Sequence, residues 1–138
     1  MSEQKIDWII HLVGNGVACD CCNKVEDEFH DGLCNAHTHG MEKYHHPDFQ
    51  MVIQVSPEEI GYVLNTLGRR VQNGEQFHDG DYVSGIYEDC DIRLQEFEET
   101  GRKVLRVLIP DMQNIFPDNP RCNHPFNLQL LETDKLYK

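Results

Sequence analysis

The chain has 138 residues and sets 12 Lys+Arg against 24 Asp+Glu, a formal net charge of −12. That length suits one ordinary core, so a single domain spanning 1–138 is expected, with 1–32 as an N-terminal segment that holds a cysteine-rich loop. The negative field repels a phosphate backbone or an anionic bilayer and no basic run offsets it, so neither nucleic acid nor membrane is an expected partner. Apolar runs stay far below the roughly twenty residues of a membrane span, and the N-terminus lacks the basic-then-apolar order of a signal peptide. A cytoplasmic location is expected, where six cysteines serve better as thiols or metal ligands than as a disulfide framework.

Ile6, Ile9, Ile10 and Val13 fall at helical spacing while Trp8, Ile10 and Leu12 alternate, so the first segment reads as helix or strand, ended by Gly14-Asn15-Gly16. The stretch from Cys19 to Asp48 then gathers four of the six cysteines and five of the eight histidines. Cys19 and Cys22 form a C-x2-C pair, and Cys34 and His37 a C-x2-H pair. This is close to zinc-ribbon spacing, because two intervening residues let a tight turn aim both side chains at one tetrahedral ion. Strand alternation gives a different grouping. In a regular strand over 33–41, Asn35, His37 and His39 share one face while Cys34, Ala36 and Thr38 share the other. The natural pair is then His37 with His39, joined by thiolates of Cys19 and Cys22, or Cys21, from the preceding loop. Cys34 becomes a small buried residue. A site closed by four protein ligands is the expectation.

A second strand is expected over 49–55, antiparallel to the first. Ser56-Pro57-Glu58-Glu59 then combines an N-cap, a proline at the first helical position and a capping box. Ile60, Val63, Leu64, Leu67 and Val71 form one apolar stripe ahead of a stop at Gly74. Beyond it, strands are expected at Tyr82–Tyr87, Cys90–Phe97, Lys103–Ile109 and Leu128–Leu131, with a turn at Thr100-Gly101. The fold class is α+β, a single domain whose largely antiparallel sheet is packed by one main amphipathic helix. Phe-His-Asp-Gly occurs at 29–32 and again at 77–80, which reads as repeated turn chemistry. The acidic cluster Glu96, Glu98, Glu99 reads as a solvated face. Cys122 and His124 form a further C-x-H pair that a compact domain could bring to the first site, and His46 is another candidate ligand.

The runs THGMEKYHHPDF, LNTLGRRVQNGEQFHDGD, VLRVLIPD and LQLLETD, in that order, resemble an uncharacterised bacterial family of unknown function. Its pattern joins T-x-G-[LM], H-P-[DE] and G-x-x-F-x-x-G-D. The likeness covers roughly residues 33–131. It implies a small bacterial cytosolic protein and no particular reaction. In that pattern the positions of His37 and His39 commonly carry an aromatic and an aliphatic residue, so a metal site here would be peculiar to a cysteine- and histidine-rich branch.

Three functions compete. One is a metal-binding domain, with zinc suited to mixed thiolate and imidazole ligands. Another is a metal-dependent hydrolase in which His37, His39 and an acid such as Asp48 leave a position open for water. The third is an acidic, non-enzymatic protein that binds a protein partner, as immunity proteins do. Nucleotide-binding and serine-hydrolase motifs are absent from the sequence.

Overall fold

The computed structural model describes residues 5–14 and 29–136. Cys19, Cys21 and Cys22 lie outside the described residues. Among the described residues the strands are β1 (Ile9–Gly14), β2 (Leu33–His39), β3 (Asp48–Ile53), β4 (Tyr82–Val83), β5 (Ile92–Glu99) and β6 (Arg102–Leu108), with one α-helix, α1 (Pro57–Gln72). They form one sheet in the order β1-β2-β3-β6-β5-β4. Every neighbouring pair is antiparallel except β3 and β6. The α+β reading holds. The parallel pair arises because the chain leaves β3 through α1 and returns by the β5–β6 hairpin.

The helix forms for the reasons its sequence states. Ser56 Oγ accepts from the Glu59 amide at 3.1 Å, Pro57 occupies the first turn, and Glu58 and Glu59 open while Arg69 and Arg70 close the helix. This charge order suits the helix dipole. Its buried stripe, Ile60, Val63, Leu64, Leu67 and Val71, packs on Cys34, Ala36, Phe49, Met51, Leu105 and Val107 of the sheet. On the opposite face, the C-terminal segment with 3₁₀ turns at Phe126–Leu130 and Thr133–Lys135 closes a smaller apolar cluster of Phe29, Leu33, Val52, Ile53 and Leu136. Because β3 is covered on both faces, all six of its residues are buried.

Three expected strands change. Tyr82–Tyr87 shrinks to Tyr82–Val83, since Gly85 adopts φ 86° and bends the chain. Cys90–Phe97 shifts to Ile92–Glu99. Leu128–Leu131 is not a strand but 3₁₀ helix: the Gln129 side chain accepts from the Ile109 amide at 2.8 Å and donates to the Ile109 carbonyl at 2.7 Å. One amide side chain thus stands where a neighbouring strand's backbone would.

The edge strand β1 is tied to the helix by Trp8. Its indole Nε1 donates to Asn65 Oδ1 at 2.9 Å, and its ring lies so close to Gly68 that a Cβ there would meet it at 2.6 Å. Gly68→Ala should therefore lower stability by about 1–3 kcal/mol through overpacking. Leu64→Ala should lower it by about 2–5 kcal/mol through the cavity left in the core. Both are read as shifts in the chemical-denaturation midpoint. An unchanged midpoint for Leu64→Ala would mean that the stripe does not bear the sheet contact.

Candidate metal centre

The antiparallel register of β1 and β2 sets His11 directly opposite His37 and Ile9 opposite His39. Opposite and next-but-one residues share a face, so His11, His37 and His39 project together from one side of the sheet. Ring centroids lie 5.6 Å apart for His11 and His37, 4.6 Å for His11 and His39, and 4.9 Å for His37 and His39. One ligand nitrogen of each lies within 4.8 Å of the other two. Tetrahedral zinc at ~2.1 Å from each nitrogen sets them roughly 3.4 Å apart, so small side-chain rotations bring the trio around an ion. This group could hold a metal ion.

A chain of hydrogen bonds leading to His37 aims its imidazole. Arg106, fully buried, has only donors, and its Nε donates to Gln50 Oε1 at 2.8 Å. That fixes the Gln50 amide, whose Nε2 donates to Asn35 Oδ1 at 3.0 Å. Asn35 Oδ1 is 3.2 Å from His37 Nδ1. An acceptor facing Nδ1 places the ring proton there and leaves the Nε2 lone pair directed at the trio, the arrangement that supporting groups give to metal-binding histidines. Burial first, then His39, Arg102 and His11, pull the His37 pKa down to about 4 against the opposing pull of Glu99. Burial, with Arg102 and His11, also lowers His39.

The tight turn at Thr100 and Gly101, both at positive φ, brings Glu99 and Arg102 side by side at the edge of the trio. Glu99 Oε1 lies 3.8 Å from His37 Nε2. Its Oε2 accepts from Thr100 Oγ1 at 2.9 Å and Arg102 Nε at 3.3 Å. Burial alone would raise this carboxyl, but the hydrogen bonds from Thr100 and Arg102 and the Arg102 charge hold it below the usual carboxylate range. Glu99 is buried whereas Glu96 and Glu98 are exposed, so it leaves the solvated cluster expected for all three. Asp48 is occupied. Its Oδ1 accepts from Thr38 Oγ1 at 2.8 Å and the Met41 amide at 3.1 Å, and its Oδ2 pairs with Arg102.

The other candidates lie elsewhere. Cys34 is on the helix-facing side, with Sγ 3.9 Å from the Met51 carbonyl, and burial pushes its thiol up to about 12. His46 is used twice over: Nδ1 lies 2.8 Å from the Pro47 carbonyl, and Nε2 accepts from the Phe77 amide at 3.0 Å. Cys122, bonded to the Ile115 carbonyl at 3.3 Å, and His124 belong to a loop folded around Asp111, which accepts from the amides of Gln113, Ile115 and Asn123. Neither joins the trio. His11 is the residue that sequence reading missed. A strand reading of 9–14 places it between Ile9 and Val13, and a lone histidine in the strand before H-x-H was the available signal.

In metal-free protein, the unfolded chain takes up the His37 proton as pH falls through 6.5, and the folded chain does so only near 4. Between those values acid favours the unfolded state, so this stabilisation is complete above pH 6.5 and declines below it, by at most about 3 kcal/mol. Urea midpoints at pH 7 and pH 4.5 should therefore differ more for the wild type than for His37→Gln. Equal differences would mean that His37 titrates normally in the folded chain.

Among the described residues no helix is long and apolar enough to cross a membrane. Comparison with curated proteins and with solved structures finds no match. A family model described as a domain of unknown function, DUF4262, matches residues 18–123. It begins earlier than the 33–131 likeness and takes in the cysteine-rich segment.

Proposed function

The chain belongs to the DUF4262 family, whose description names no activity, and from its own residues we propose that it is a metal-binding domain holding a divalent ion, zinc by preference, on His11, His37 and His39. The carrying observation is the trio itself, three imidazoles from two paired strands with ligand nitrogens within 4.8 Å of one another. Imidazole donors with a nearby carboxylate suit zinc and its borderline neighbours rather than magnesium or calcium, which prefer oxygen. Two further features support the reading. His37 is kept neutral, as a ligand must be, and Arg106, Gln50 and Asn35 hold its free nitrogen toward the site.

Chelator-treated protein titrated with zinc by calorimetry should bind one equivalent. His11→Ala, His37→Ala and His39→Ala should each weaken binding by more than about 100-fold, while Asn35→Ala, a supporting residue, should weaken it by about 10–100-fold. Cys34→Ala should bind as the wild type does. Loss of zinc in Cys34→Ala together with full binding in His39→Ala would move the site to the ribbon spacing Cys19, Cys22, Cys34 and His37. A wild type that takes up no zinc would end the proposal.

A further inference from the structure

Three histidines leave one tetrahedral position of a zinc ion unfilled, and among the described residues Glu99 Oε1 stands close to the trio. It lies 3.8 Å from His37 Nε2, beside the mutually close nitrogens yet not one of their group. Its sister oxygen is fastened by Thr100 and Arg102, which fixes the carboxylate while leaving Oε1 to face the site. Asp48, the other nearby acid, has both oxygens engaged. The trio is also reachable from solvent, since His11 is exposed and His39 half-buried while His37 is covered.

We infer, building on the metal-binding reading above, that the ion's fourth position is open to water and that Glu99 is the carboxylate that takes its proton. The proton of the bound water passes to Glu99 Oε1, and the resulting hydroxide attacks an electrophilic carbon. The carbon–oxygen bond to the hydroxide forms, the bond to the leaving group breaks, and Glu99 returns the proton to the departing group. A chain of net charge −12 disfavours phosphate esters and other anions by long-range repulsion. The substrate class is therefore an uncharged or cationic ester or amide, hydrolysed at its carbonyl. Arg102 is a positioning residue here: it holds Glu99, Asp48 and the Thr38 carbonyl.

The test uses the full chain loaded with Co(II), whose visible bands report coordination, with azide as a probe of the fourth position and 4-nitrophenyl acetate as the neutral ester. Azide should perturb the bands saturably, and the loaded protein should hydrolyse the ester faster than the metal-free protein. Glu99→Gln, whose amide oxygen can still accept from Thr100 and Arg102, should stay folded and keep its cobalt affinity within about tenfold and its azide response, yet lose metal-dependent hydrolysis by about 100-fold or more. Four outcomes overturn the inference while the metal reading survives. They are bands that ignore azide, an intense thiolate-to-cobalt charge-transfer band showing a cysteine in the fourth position, cobalt affinity lost with Glu99 so that the carboxylate is a ligand, and metal-dependent hydrolysis that is absent or equal in wild type and Glu99→Gln. No cobalt binding at all overturns both.

Discussion

Arg106 is a cation with five donors and no acceptor, placed where no water reaches, and the polar half of the sheet is arranged around that fact. Its guanidinium lies 3.6 Å over the Phe97 ring. It donates to the carbonyls of Gln129 and Leu131, to Thr133 Oγ1 and to Gln50. Burial lowers its pKa to about 9, which still leaves it charged at neutral pH. Every partner must therefore present oxygen, and each oxygen so used orients the group behind it. The same residue thus clamps the C-terminal segment over one sheet face and, through two amides, decides which nitrogen of His37 is free. Fold and site share a single constraint. Among the described residues no buried polar side-chain atom is left without a partner, as such a network requires.

The helix and the alternation of β2 were legible because each depends on local rules. Ser56, Pro57 and the apolar stripe act within one element, and period-two geometry alone separates His37 and His39 from Cys34. What escaped reading depends on contacts between elements. His11 lies in a segment whose apolar spacing fits helix and strand equally, and only pairing with β2 resolves it. Glu99 sits among acids that look alike in sequence, and the tight Thr100-Gly101 turn is what folds this one beside Arg102 and out of water. Leu128 to Leu131 shows alternating leucines, yet the Gln129 side chain supplies the hydrogen bonds that a strand would otherwise provide to Ile109. The parallel pairing of β3 and β6 likewise follows from a crossover that no local signal announces.

The segments Thr38 to Met41, His46 to Asp48 and the one around Phe77 have a physical reading distinct from the histidine trio. Thr38 Oγ1 donates to Asp48 and accepts from the Phe49 amide at 3.0 Å, so T-x-G-M and H-P-D meet across the β2–β3 connection. Gly40, at φ 129°, lets the chain turn into the Met41–Tyr44 3₁₀ helix. His46 bridges to the Phe77 amide, and its ring contacts Phe49 and Phe77. That joins the second motif to the third. These residues build the platform, and His11, His37 and His39 are mounted at its margin.

That margin is an edge strand. Among the described residues β1 pairs only with β2, and Trp8, just ahead of it, is seated on Gly68 of the helix. Edge elements open locally at lower free energy than the core. Since His11 rides on β1, lifting that strand would part its ring from those of His37 and His39 on β2. The trio would then come apart while the core stays folded. The seating of one indole ring on the helix thereby bears on how firmly three imidazoles are kept together.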